Sequence, residues 1–207
     1  DTGDFGGFDS GGFGDFWFPK LFYFTEYQYP NLINIFEGYK QGAREINPNT
    51  KVLSTYLDEW DSPAKGKEAA LSQINSGADF LLQVADTSGS GVIEAAKEKK
   101  IFAFGFVSDQ YKLAPNTVLT SFVLDEEKAF DQAIKMIQNS NFTGKIFKPG
   151  LEPYKGAPGD GIVYIAPFYG LENQVPEDVK TKFNTLKEDV INKKIVISER
   201  YDISKVN

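Results

Sequence analysis

Phe80-Leu81-Leu82-Gln83-Val84-Ala85-Asp86-Thr87-Ser88-Gly89-Ser90-Gly91 runs from an apolar strand into a turn rich in Gly, Ser and Thr. Upstream, a helix ending at Gly77 leads through Ala78-Asp79 into that strand. Downstream, Val92-Ile93-Glu94-Ala95-Ala96-Lys97 continues as a helix, and Ile101-Phe102-Ala103-Phe104-Gly105-Phe106 reads as a second buried strand. The three segments make one βαβ unit, with the Gly/Ser/Thr turn at the carboxyl end of its first strand. In open parallel sheets, ligands bind along that edge. Small residues there let a ligand approach the backbone, and hydroxyls and helix N–H groups can hold its polar atoms. The turn is neither a Walker loop nor a complete GxGxxG. Taken alone, an ordinary tight turn with helix caps explains it equally well.

Composition excludes several classes. The 207 residues suffice for one large domain or two small lobes. A net charge of −7, a pI near 4.8 and the lack of any basic stripe argue against nucleic acid. There is no cysteine and no histidine. Disulfides, thiol catalysis, the usual triads and the commonest metal ligand are therefore absent. An enzyme is disfavoured, and neither cofactor nor metal is expected. Absent cysteine suits an exported and a cytosolic protein equally. No apolar run approaches the roughly 20 residues of a membrane-spanning helix. No signal peptide is visible, so a cytosolic or already processed chain is expected.

Helix and strand signals alternate along the rest of the chain. Asn31 to Ile46 carries Leu32, Ile35, Phe36, Tyr39, Ala43 and Ile46 at helical spacing. Lys51 to Tyr56 reads as a strand, and Asp61-Ser62-Pro63 starts a helix running on from Ala64 to Ser76. Thr117 to Val123 is a strand. Asp125 to Gln138 is a helix expected to turn Ala129, Phe130, Ala133, Ile134 and Ile137 inward. Gly161 to Ala166 is a strand, and Val175-Pro176-Glu177-Asp178 opens a last helix with Val179, Phe183, Leu186 and Val190 as its buried stripe. Ile195-Val196-Ile197 can close a sheet edge. The alternation predicts an α/β fold with mainly parallel strands. Asp1 to Phe18 stands apart, being little but Gly, Asp and Phe with an approximate repeat. Composition leaves open a flexible tail, an adhesive segment or pieces of loop.

Pro30-Asn31-Leu32-Ile33, Trp60-Asp61-Ser62-Pro63, Gly77-Ala78-Asp79, Ala85 to Gly91, Gly105 to Gln110 and Leu119-Thr120-Ser121 stand, from Tyr29 to Asp125, in an order and spacing that resembles the basic membrane protein family of substrate-binding lipoproteins, which serve nucleoside ABC importers. Pro30-Asn31-Leu32-Ile33 through Phe36-Glu37-Gly38-Tyr39-Lys40-Gln41-Gly42 is similar to the family's hinge-and-helix segment. Trp60-Asp61-Ser62-Pro63-Ala64-Lys65-Gly66-Lys67-Glu68-Ala69-Ala70 resembles its aromatic-then-helix segment. Gly77-Ala78-Asp79, Ala85 to Gly91, Gly105 to Gln110 and Leu119-Thr120-Ser121 follow in family order and spacing. Gly161 to Pro167 and Val175-Pro176-Glu177 look like its closing strand and helix, so the likeness covers about residues 25 to 200.

The resemblance implies a type I periplasmic-binding-protein fold, in which two Rossmann-like lobes close on a ligand. Family members are longer, and the missing length falls in the first lobe, which is expected to be incomplete here. Residues 1–24 are then fragments of the first lobe and 25–120 mainly the second. Residues 121–155 return to the first lobe, and 156–207 close mainly the second. Asp9-Ser10-Gly11-Gly12-Phe13-Gly14-Asp15 is similar to the family's opening ligand loop, although Phe16-Trp17-Phe18 does not continue it.

The same resemblance supplies candidate site residues. Trp60 stands where the family places an aromatic that stacks on the base; the alternative is a core tryptophan, less suited to its polar neighbours Asp58, Glu59, Asp61 and Ser62. Asp86, Thr87, Ser88 and Gly89 are expected to touch the ligand, with helix capping as the alternative. Asp15 would bond a base or ribose. Ser108, Asp109 and Ser121 lie at the same sheet edge. Two positions depart from the family: Val107 and Leu124 replace an aspartate and a lysine expected on the ribose side. Asn141-Phe142-Thr143 is a glycosylation sequon, with Asn141 the candidate acceptor. The function expected is a solute-binding protein delivering a purine nucleoside or related base to an ABC permease. It would act at the extracellular face of the cytoplasmic membrane or in the periplasm, anchored through its N-terminus. A sensor ectodomain or surface assembly subunit on the same fold is the alternative.

Overall fold

The computed structural model describes residues 20–25, 27–144, 150–151 and 161–197. Among these residues six strands, β1 (Lys20–Thr25), β2 (Lys51–Tyr56), β3 (Phe80–Val84), β4 (Phe102–Val107), β5 (Val118–Leu124) and β6 (Val163–Ile165), form one sheet in the order β2-β1-β3-β4-β5-β6. The first five are parallel, and β6 runs antiparallel to β5. Among the described residues five α-helices accompany them: α1 (Pro30–Ile46), α2 (Pro63–Asn75), α3 (Asp86–Lys99), α4 (Glu126–Gln138) and α5 (Glu177–Ile191). The α/β architecture with mainly parallel strands is as the alternation predicts.

Strand order fixes where a ligand can sit. From β1 the chain steps outward to β2, then crosses back to β3 and proceeds the other way. Connections on either side of β1 therefore leave on opposite faces. α1 packs against Tyr23, Leu82 and Val84, while Phe22, Phe24, Leu81 and Ala103 lie beneath the helices on the other face. The reversal between β1 and β3 opens a crevice at their carboxyl ends, the ligand position of doubly wound sheets.

Strand β1 is the element that composition hides. Lys20-Leu21-Phe22-Tyr23-Phe24-Thr25 adjoins the Gly/Phe-rich start, yet it is hydrogen-bonded on both sides and buries Phe22, Tyr23, Phe24 and Thr25 almost completely. Helices α2 and α3 meet backbone to backbone. A Cβ on Gly66 would lie 2.0 Å from the Ser88 carbonyl oxygen, and one on Gly91 would lie 1.8 Å from that of Pro63. Part of the glycine in the turn motif thus serves helix packing, a role the sequence does not distinguish from ligand access.

Three expectations change in the structure. Helix α4 forms, capped by Asp125, but Phe130, Ile134 and Ile137 are 70, 53 and 60% exposed, and no α4 residue is buried. Periodicity reports that a helix has an apolar face, not that a neighbour covers it. Helix α5 half-buries its expected stripe instead of burying it: Val179 packs against Leu119, Leu171 and Val175. Ile195-Val196-Ile197 makes no strand. The Val196 carbonyl instead accepts a hydrogen bond from Gln41 Nε2 on α1, at 3.1 Å.

Candidate functional site

The loop after β2 carries Trp60 to the crevice. Asp58, with φ at +52°, turns the chain, and the Glu59 carboxylate accepts from the Trp60 N–H at 3.2 Å. The Asp61 N–H, then Lys65, hold the Glu59 carboxyl below its ordinary pKa. Ser88 secures the loop from beneath. Its hydroxyl accepts from the Ser62 N–H at 2.9 Å and donates to the Glu59 carbonyl at 3.1 Å, while its own N–H donates to the Trp60 carbonyl at 3.2 Å. Trp60 is left 43% exposed, with Tyr27 and Tyr29 beside it at ring-centroid distances of 5.5 and 6.3 Å. It is no core tryptophan.

The predicted site residues separate into two layers. Asp86 and Thr87 are exposed at the start of α3, where no side chain caps the helix. Among the described residues no protein acceptor reaches their backbone N–H groups, which remain open to a ligand. Ser108 and Asp109 are exposed at the carboxyl end of β4. Ser88, Gly89 and Ser121 lie below, fully or nearly buried. A Cβ on Gly89 would fall 1.8 Å from Gln83 Oε1. Ser88 and Ser121 accordingly hold the loops that face the crevice; their hydroxyls bond protein groups.

Two glutamines tie the strand ends together: Gln83, which sequence reasoning did not single out, and Gln110, which it placed at the strand end beside Ser108 and Asp109 without a role. Gln83, buried, donates from Nε2 to Gln110 Oε1 and accepts from the Ala85 N–H at 3.2 Å. Gln110 Oε1 also accepts from the Phe106 N–H at 3.3 Å, and the Gln110 N–H donates to Ser121 Oγ at 3.0 Å. The ends of β3, β4 and β5 are thereby one unit. A glutamine in an otherwise apolar strand was the available signal, since a buried amide needs partners. Asp109 is partly engaged: it accepts from the Tyr111 N–H at 3.1 Å and from the Tyr169 hydroxyl. That carboxylate is the main cause of a raised Tyr169 pKa, with burial second.

Backbone strain gathers at this edge. Val107 has φ at +68°, and the Ser108 N–H donates to the Phe106 carbonyl at 2.9 Å, so Val107 is the centre of a positive-φ γ-turn. A β-branched residue is an outlier there. Asp58 and Asp86 also have positive φ. Strained residues of this kind concentrate at ligand clamps and switch regions. The flanking loops carry Asp58, Glu59, Asp61, Asp86 and Asp109 against Lys65, an acidic setting. Among the described residues no cluster of acidic side chains is arranged to hold a metal ion. Asn141 is exposed just after α4, and Asp15 lies outside the described residues.

A sequence model of the family described as ABC transporter substrate-binding protein, PnrA-like, matches residues 19–200. The chain belongs to that family. A purine-binding protein of Brucella abortus is 28% identical over 151 residues, covering 73% of this chain and 39% of that protein. Basic membrane protein A of Borreliella afzelii is 27% identical over 164 residues, 77% of this chain and 47% of its own. The transcriptional activator protein Med of Bacillus subtilis is 32% identical over 108 residues, 52% of this chain and 34% of its own. Among solved structures, an ABC transporter solute-binding protein from Aeropyrum pernix superposes with a TM-score of 0.67 at 16% identity. It is matched over 89% of this chain and 59% of its own. A transcriptional activator of the comK gene from Bacillus halodurans gives 0.68 at 20% identity, over 86% and 58%. These likenesses fix the fold as that of periplasmic binding proteins, of whose chains this one matches somewhat more than half. The chain spans less than half the length of these curated relatives.

Proposed function

We propose that this chain carries the ligand-binding edge of a solute receptor for an ABC importer, and that its ligand is a purine base or nucleoside. One observation carries the reading: Trp60 is clamped through its backbone by Ser88 yet keeps 43% of its surface exposed beside the N-terminus of α3. A ring so placed offers a flat apolar surface next to open hydrogen-bond donors. Asp86, Thr87, Ser108 and Asp109 would bond the ligand's polar atoms, with Asp15 joining from the first-lobe loop. The acidic setting favours neutral or cationic ligands and disfavours phosphorylated ones. The Brucella relative named as purine-binding points the same way. Anchoring outside the cytoplasmic membrane belongs to this reading. Recovery of the full-length protein in the soluble cytoplasmic fraction would contradict it.

Within the site, Val107 and Leu124 offer a ribose no side-chain hydrogen bond. An apolar site cannot reject an analogue that lacks a hydroxyl. A free purine is therefore expected to bind about as well as its nucleoside. Competition among adenine, hypoxanthine, guanine and their nucleosides tests this. A nucleoside preference beyond about a hundredfold, roughly 2.7 kcal/mol, refutes it. Trp60→Ala should weaken purine binding by about 1–3 kcal/mol. Unchanged affinity in calorimetry would reduce Trp60 to a packing role. A second reading, a binding module that regulates instead of transporting, is favoured by the likeness to the Bacillus subtilis transcriptional activator Med. Co-purification with a permease separates the two.

The bare stripe of α4 suits the expected return to the first lobe only beyond β5, since residues 121–124 still pair within this sheet. In this reading Phe130, Ile134 and Ile137 are the surface on which a complete first lobe packs.

A further inference from the structure

Tyr169 holds a backbone conformation that disfavours an aromatic residue. Its φ is +48°, in the left-handed region, at the start of a 3-10 turn over Tyr169–Gln174, and 44% of its surface is exposed. A bulky side chain there is an outlier, and so partial a burial returns little against the strain. The chain on either side is fixed. Before it, Ala166 donates its N–H to the Ser121 carbonyl at 2.8 Å, and the Ala166 carbonyl accepts from the Thr120 hydroxyl at 2.6 Å. After it, Leu171 is buried with Leu119 and Val175. This short strut reaches the loop after β4. The Tyr169 hydroxyl donates to Oδ2 of Asp109, whose Oδ1 accepts from the Tyr111 N–H at 3.1 Å. The Tyr169 and Tyr111 rings lie 4.4 Å apart, and a Cβ on Gly170 would come within 3.1 Å of the Tyr111 hydroxyl. Asp109 itself is exposed at the ligand edge. Each of its carboxylate oxygens is held by one donor and keeps a lone pair for another.

We propose that Tyr169 is a positioning residue, which fixes the Asp109 carboxylate in place to accept an N–H or amino group of the ligand. Stability alone does not account for the arrangement. An exposed hydrogen bond needs no strained residue to make it, and strain of this kind persists where the surroundings over-determine it, at ligand clamps among other places. A phenol donating to a carboxylate makes a charge-assisted bond, firmer than one between neutral groups. Asp109 held in this way has less side-chain freedom left to lose when the ligand's donor arrives. The inference rests on the purine reading and deepens it, since it names the group through which Asp109 selects a ligand that carries donors.

The test measures adenine and hypoxanthine binding to the 207-residue chain by calorimetry, with Tyr169→Phe, Asp109→Asn and the double variant. Tyr169→Phe keeps the ring against Tyr111 and removes only the hydroxyl. It is expected to weaken purine binding about fivefold, the net value of one hydrogen bond. The urea midpoint should stay where it is, because Tyr169 and Asp109 are both exposed. Asp109→Asn should weaken binding at least as much. The double variant should bind like Asp109→Asn alone, since a residue that acts through another then has nothing to act on. If either single variant binds as tightly as the parent, or if the two losses multiply, Tyr169 does not act through Asp109; the proposal is overturned and the purine reading stands. An affinity loss in Tyr169→Phe that comes with a lower urea midpoint also overturns it, by showing a structural role. If the parent binds neither purine, both fall.

Discussion

Ser88 shows how a residue's job is settled by what surrounds it. In sequence it is one hydroxyl in a ligand-facing turn; in the structure it is buried and holds the Trp60 loop by three hydrogen bonds. Ser88→Ala leaves the Ser62 N–H and Glu59 carbonyl without that partner. A cost of about 1–3 kcal/mol in urea unfolding is expected. Purine affinity should fall as well, because the ring's mount loosens. A stability change below about 0.5 kcal/mol, the range of ordinary surface substitutions, would show the loop to be held by other means. Val107 gives the opposite sign. With φ at +68° its branched side chain occupies a conformation that asparagine tolerates far better. Val107→Asn should therefore stabilise the chain by about 1 kcal/mol, the low end of such strain. A lower urea midpoint would mean the valine's contacts outweigh its strain. Neither effect is visible in the sequence, where Val107 only interrupts a family pattern.

Helix α4 makes a cleaner case at the level of the element. Asp125 precedes it, and its Oδ1 accepts from the Lys128 N–H at 2.9 Å. That backbone bond, followed by the Lys128 side chain, holds the Asp125 carboxyl below its ordinary value of 3.8. A depressed carboxyl pKa stabilises the fold above the unfolded value, and the contribution is lost as pH falls through the lower, folded value. Asp125→Ala should thus cost about 1 kcal/mol near neutral pH. The penalty should vanish in strong acid, where the parent carboxyl is protonated too. Urea midpoints of both proteins across that range check it, and a penalty independent of pH would rule out capping by the ionised group. The start of α4, like Pro63 at the start of α2, was legible because cap chemistry is local. The absence of a strand at Ile195–Ile197 was not, since it depends on which strands already occupy the sheet edges.

At the scale of the molecule, the parallel order and the ligand edge followed from the βαβ unit around Asp86, whose turn chemistry and periodicity are short-range. What stayed hidden was relational. Gly91 reads as a turn residue and Gly66 as an unexplained glycine inside a helix until two helix backbones are seen to touch, and Gln83 reads as a lone polar residue in an apolar strand until Gln110 meets it. Strand β1 was masked by its neighbours in composition. The α4 stripe was read as core because spacing cannot report a missing partner. That last difference can be measured. Were Phe130, Ile134 and Ile137 buried, replacing all three with serine would cost well over about 5 kcal/mol, at about 2 or more for each large core side chain removed. In the structure they are exposed, so Phe130→Ser, Ile134→Ser and Ile137→Ser together should change the unfolding free energy of the 207-residue chain by less than about 1.5 kcal/mol, summing ordinary surface effects. Binding of a dye that reports exposed apolar surface should fall in the triple variant. Adding a complete first lobe should reverse the outcome, making the same three changes strongly destabilising. A large loss already in the 207-residue chain would show that some part of it covers α4, and the first-lobe assignment of this face would fail.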